Sequence, residues 1–161
     1  MPKLLGYSRV KMKYWNELDN TIFMTKKMKF WNDFERSIFF NRVFSTSIPI
    51  GKITLFSFNI DNNRPHINME FDISEIPDRP PEKWIREGFN TCRIGLSCGG
   101  ITDLIIKNLP TLDTLNMSVH KHENFFSVSA ESTGSLIEFR TKYPALSGPS
   151  VYMNDPDSAC Y

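Results

Sequence analysis

The chain lacks any apolar run approaching the roughly 18–20 residues that cross a bilayer. Its opening, MPKLLGYSRVKMKYW, holds no stretch as long as a signal peptide's central region. A cytoplasmic protein with no membrane association is the expectation. Charge of one sign is also lacking: 19 Lys and Arg stand against 18 Asp and Glu, for a net charge of +1. That balance excludes the dominant basic footprint of a nucleic-acid binder. Cysteine is scarce and odd in number, at three. Cys92 and Cys98 fall on one face of an alternating segment, and a continuous strand would hold them about 20 Å apart, out of disulfide reach. Cys160 sits near the end of the chain. Free thiols in a reducing compartment are expected. Phosphate-cradling glycine loops are absent, because Gly99-Gly100 is followed by neither a Lys nor a helical pattern.

What is present is enough for one compact domain. The 161 residues are 40% apolar and 23% charged, and aromatics are frequent, with thirteen Phe, five Tyr and three Trp. Charge is unevenly spread. Residues 1–52 carry ten Lys/Arg against four Asp/Glu, and the remainder nine against fourteen, so a basic arm precedes a mildly acidic body.

That arm contains an internal echo: KMKYWNELDNTIF at 11–23 returns as KMKFWNDFERSIF at 27–39. Each copy places apolar residues at helical spacing, Trp31, Phe34 and Ile38 in the second. Two units are too few for a solenoid. Two short amphipathic helices are expected, the second in the core and the first an appendage, dividing the chain into residues 1–26, a domain over 27–152 and a tail over 153–161.

From residue 52 the pattern changes to a period of two, which marks strands with one buried side. Segments 52–60, 65–73, 91–97, 101–107, 112–120, 125–131 and 135–141 read this way, punctuated by the turns DNNRP, Gly99-Gly100, HKHEN and Thr133-Gly134. In the first, Phe56 and Phe58 are both candidates for the buried face. Residues 142–161, rich in Pro, Ser, Gly and Asp, read as loop and tail. The expected fold is α+β, mainly β: an antiparallel sheet or sandwich of about seven strands with one or two N-terminal helices.

The most distinctive stretch is FDISEIPDRPPEKWIREGFN, residues 71–90. Pro77, Pro80 and Pro81 remove backbone donors and stiffen the chain between two strands. Pro81 suits the start of a short helix, and Gly88 a left-handed exit from it. Trp84, with Pro80, Pro81 and Phe89, is the expected structural anchor, Trp84 being largely buried against the sheet. Scaffolding accounts for the prolines and not for the charge. Glu70, Asp72, Glu75, Asp78 and Glu82 line the outward strand face and the loop, an arrangement that suits a basic protein partner.

Catalytic and metal-binding patterns are weaker. His120 and His122 share a strand face, yet a zinc site needs a third ligand and His66 is the only other histidine. No cysteine sits in a nucleophile-elbow pattern. No enzyme chemistry, metal or cofactor is expected.

Trp31 and Phe34, Ile48-Pro49, Phe71-Asp72, Pro77-Asp78, Pro80-Pro81, Lys83-Trp84 and Gly88-Phe89-Asn90-Thr91 together resemble the immunity protein 50 family of bacterial polymorphic toxin systems, over about residues 28–152. The resemblance implies a cytoplasmic protein that neutralises the C-terminal domain of a cognate toxin, in contact-dependent inhibition or a related system, by steric occlusion and without catalytic residues. The acidic stretch suits a toxin with a basic active surface, such as a nuclease. An all-β ligand-binding module, for carbohydrate, is the alternative, distinguished by a concave pocket lined with aromatic rings.

Overall fold

The structure of the protein, a computed structural model, describes residues 25–158. Alternation builds the strands where it was expected, and the described residues add two more. The strands are β1 (Lys26–Lys27), β2 (Lys52–Asp61), β3 (His66–Ile73), β4 (Thr91–Gly99), β5 (Thr102–Lys107), β6 (Thr114–Lys121), β7 (Phe126–Glu131), β8 (Leu136–Thr141) and β9 (Tyr143–Tyr152). All pair antiparallel in one sheet of order β5-β8-β7-β6-β2-β3-β4-β9, with β1 added beside β6. Two short helices, α1 (Ile38–Val43) and α2 (Glu82–Glu87), and single 3-10 turns at Trp31–Asp33 and Pro156–Ser158 complete the set. The fold is α+β and mainly β.

The sheet doubles back on itself at a bend. Gly99 pairs with Tyr143 and Thr102 with Arg140 in the same register, so β4 runs into β5 and β8 into β9 as two bent strands. Gly99-Gly100 is therefore a corner and not the hairpin turn expected from its composition. Gly100 has φ +64, and a Cβ there would sit 3.0 Å from that of Lys142, so only glycine lets the two chains cross so closely. Two donors hold the corner, the Lys142 amide (3.0 Å) and the Thr141 hydroxyl (2.7 Å), both to the Gly99 carbonyl. On one side of the bend lie β2, β3, β4 and β9; on the other, β6, β7, β8 and β5. The halves rejoin where Lys52, Ile53 and Thr54 of β2 meet β6.

Inward side chains of both halves form one core. Ile67, Met69, Phe71 and Ile73 of β3 and Cys92, Ile94, Leu96 and Cys98 of β4 belong to it, with Leu115, Met117 and Val119 of β6 and Ile137 and Phe139 of β8. A register shift between Leu55 and Ser57 decides between the two phenylalanines of β2. The extra residue turns Phe56 outward, 61% exposed, and brings Phe58 to within 6.4 Å of the Phe139 ring.

Two further expectations are overturned. Residues 143–152 form β9, a full partner of β4. Pro144 and Pro149 are tolerated because β9 is an edge strand, where a missing amide breaks no ladder. Its outer side is covered by the chain around Glu35, whose carbonyl accepts the Leu146 amide at 2.9 Å. The continuous helix expected over 27–39 does not form. Lys26–Lys27 pair with β6, Trp31 and Phe34 sit around one 3-10 turn, and Arg36 has φ +62, which breaks the helical path before α1. Tertiary partners take the backbone donors: Met28 N–H reaches Val119 and Trp31 N–H reaches Ile48. Trp31 then stacks between Phe34 (5.7 Å) and Phe71 (5.2 Å), 1% exposed, while Ile38 is 71% exposed. The first copy of the echo, residues 11–23, and Cys160 lie outside the described residues.

Candidate functional site

The crossover from β3 to β4 is built in three pieces. Pro77 is buried where the chain leaves β3. Beyond it, the Arg79 amide donates to the Val43 carbonyl (2.9 Å), and the Asp78 carboxylate accepts both the Ser45 amide (2.8 Å) and the Ser45 hydroxyl. Those hydrogen bonds hold the Asp78 carboxyl below its ordinary value. Pro81 then supplies the N-cap of α2, its carbonyl accepting the Trp84 and Ile85 amides. Gly88, at φ +75, ends the helix, its amide donating to Trp84. At the exit, the Asn90 side chain donates to the Asn154 carbonyl and accepts the Asn154 amide. The crossover is thus tied to the loop after α1 at one end and to the end of β9 at the other.

Between the ties lies a row of apolar side chains. Trp84 is half-buried, with its ring edge-on to Phe39 of α1 (5.7 Å) and to Phe89 (6.4 Å). Trp84 packs against the core as a partly buried ring, while Trp31 is the fully sealed one. Beside Trp84, Ile85 is 61% and Met153 60% exposed, and a Cβ on Gly88 would come within 3.7 Å of the Met153 Cε. Pro80 is half-buried and Pro81 exposed. Lys83 and Glu87 form a loose exposed ion pair at 3.9 Å on α2.

The five carboxylates do not form one uniform patch. Asp72 lies opposite Arg93 in the β3–β4 register and takes its guanidinium in two contacts, 2.8 and 3.2 Å. The Tyr152 hydroxyl donates to the same carboxylate at 2.5 Å. Burial and that hydrogen bond to Asp72 push the Tyr152 phenol above its ordinary value. The guanidinium is stacked 3.6 Å from the Phe56 ring centroid and 4.6 Å from that of Tyr152. Asp72 is therefore neutralised within the sheet, and Asp78 is occupied by Ser45. Glu70 and Glu82 are exposed and Glu75 half-buried, with the Ser57 hydroxyl 3.2 Å from Glu70.

The other candidates are absorbed by structure. His122 bonds to the Thr25 hydroxyl (3.1 Å) and the Ser127 hydroxyl (2.9 Å) and stacks on Phe125. Burial lowers its pKa. Among the described residues no group of His, Cys, Asp and Glu could hold a metal ion. Cys92 and Cys98 are buried free thiols, both pushed up to about 12 by burial, which keeps them protonated and unreactive. A groove between residues 33–36 and the start of β9 mixes charges of both signs: Asp33, Glu35, Arg36, Lys121 and Lys142, with Tyr143. No helix among the described residues is long and apolar enough to cross a membrane.

Sequence reasoning found the crossover, its prolines and its helix. It missed Ser45, Phe39 and Met153, which reach the crossover from other parts of the chain. It also missed the Asp72–Arg93 pair, whose only sequence signal is that both residues face outward on neighbouring strands.

Comparison with curated proteins and with solved structures gives no match. One family model does match, that of immunity protein 50, over residues 37–152. The match begins after Trp31 and Phe34 and contains the whole crossover and β9. With most of the chain so matched, the protein belongs to the immunity protein 50 family.

Proposed function

We propose that the protein neutralises a cognate toxin in the cytoplasm by binding the toxin's C-terminal domain and covering its active surface, with the crossover as the contact region. The observation that carries this reading is the family match, which implies a protein toxin as partner and takes in every residue of the crossover. Occlusion needs a surface and no chemistry. The crossover supports it, because hydrogen bonds fix both its ends and a fixed surface loses little conformational entropy on binding.

Charge contributes to the encounter. Glu70, Glu75 and Glu82 are the carboxylates free of the pairings that hold Asp72 and Asp78, and they suit a toxin with a basic active surface such as a nuclease. The test is a growth assay with the toxin domain encoded by the neighbouring gene, together with association rates at two salt concentrations. Changing Glu70, Glu75 and Glu82 to Lys should slow association at least tenfold at low salt, with the difference shrinking at high salt. An unchanged rate and full protection would place the contact elsewhere.

A further inference from the structure

We infer that the protein dimerises through β5, which pairs antiparallel with the β5 of a second copy about a twofold axis at Ile105. The crossover lies at the other end of β4 from β5, so this pairing does not use it.

β5 ends the sheet, and its outer edge is open. The strand at the other end, β9, is covered by the chain around Glu35. Just before β5, the Ile101 amide reaches the Pro65 carbonyl at 3.0 Å. From Thr102 to Lys107, among the described residues, backbone hydrogen bonds run to β8 alone. The groups that point the other way form a template that a further strand completes. No residue of β5 is buried, and Ile105 and Ile106 are 42% and 39% exposed.

The sequence of β5 specifies the occupant of that edge. Ile106 lies opposite Ile137 of the core, and Leu104 packs against the core, so these two share its face. Ile105 lies opposite the exposed Glu138, and the Asp103 carboxylate is 3.7 Å from the exposed Arg140 guanidinium. Asp103, Ile105 and Lys107 therefore share the outer face. Lys107 makes no ion pair among the described residues. When β5 pairs with itself about Ile105, each residue meets its complement. Asp103 faces Lys107 of the second copy, Leu104 faces Ile106, and Ile105 faces its own equivalent. Sliding the register by two residues in either direction sets Ile105 opposite a charge and breaks both ion pairs. One register is thus favoured, with a partner identical to the strand itself, as in a twofold dimer. Because β5 has a single open edge, pairing closes at two copies. The bulge at Asp103, where φ is +55, lies at one end of the strand and leaves Ile105–Lys107 in regular register with β8.

Sedimentation equilibrium of the full chain over a range of concentrations tests the dimer. The wild type should be a reversible dimer. Ile105→Lys sets like charges on the axis and should weaken association about tenfold or more. Asp103→Lys and Lys107→Glu each place like charges opposite one another at both ends of the ladder. Each alone should weaken self-association about tenfold. Mixed in equal amounts, the two variants restore both opposite-charge pairs and should form a heterodimer about as tight as the wild-type dimer. A merely structural role for either residue would not produce that rescue, and circular dichroism checks that each variant is folded. A wild-type chain that stays monomeric at every concentration overturns the inference. So does a dimer unaffected by Ile105→Lys, or a mixture of the two folded charge variants that remains monomeric.

Discussion

Trp31 and Trp84 stand in similar local sequences, each with a lysine one or two positions upstream and charged residues within a few positions downstream, yet they are packed differently. Trp31 is sealed between Phe34 and Phe71 at 1% exposure and closes the core over β3. Trp84 is only partly buried, edge-on to Phe39 and Phe89 at the margin of the core. The difference arises from the chain around each ring. Around Trp31 the backbone donors reach β6 and the chain before β2, which presses the segment onto the sheet. Around Trp84 the donors are satisfied within α2 itself, so the helix stands on the surface and carries its ring with it. An aromatic residue whose local backbone is self-sufficient is free to face outward. One whose backbone depends on the sheet is drawn inside.

That contrast can be broken by substitution. Trp31→Ala should have the largest effect, about 3–5 kcal/mol of stability, as for other fully buried aromatics; urea denaturation measures it, and a loss below about 1 kcal/mol would remove Trp31 from the core. Asp72→Ala should cost about 1–3 kcal/mol, since it leaves the Arg93 guanidinium stacked between two rings without its carboxylate. Trp84→Ala, by comparison, should cost only about 1–2 kcal/mol, because a half-buried ring gives up less contact. It should weaken toxin binding more than Trp31 or Asp72 variants that remain folded.

Much of this was legible in the chain, and the failures have physical causes. Period-two alternation located seven strands, because most have one wet and one dry face; β5, an edge strand with no buried residue, is the exception. Alternation failed at β9, where Pro144 and Pro149 imitate loop chemistry in an edge strand that needs no amide at those positions. The helical spacing of Trp31, Phe34 and Ile38 failed for the opposite reason: the spacing is real, but tertiary hydrogen bonds compete with helical ones and Arg36 turns the chain. At the crossover, Pro77, Pro81 and Gly88 specified geometry directly, so their roles could be read. The partners of Asp72 and Asp78 could not, because strand register and the return of residue 45 are properties of the folded chain alone.

Two smaller effects sharpen the comparison. The Asp78 carboxyl is held below its ordinary value of 3.8 by Ser45, so its contribution is fully present above pH 3.8 and is lost as the pH falls through the folded-state value. Asp78→Ala should therefore lower the denaturation midpoint at pH 7, with the gap to wild type narrowing as the pH falls below 3.8; a gap that persists unchanged in acid would exclude the carboxylate as its source. Removing residues 1–24 should have the least effect of all, leaving β1 and Trp31 in place, and a large fall in thermal midpoint would make the first copy of the echo part of the domain.

The central claim is that the Trp31 region builds the fold and the Trp84 region meets the toxin. Amide hydrogen exchange on the free protein and on its complex with the neighbouring toxin domain tests it most directly. The account predicts added protection in residues 75–90 and 152–154, with the amides around Trp31 equally slow in both states. Added protection confined to β5 to β8, with residues 75–90 unchanged, would contradict it.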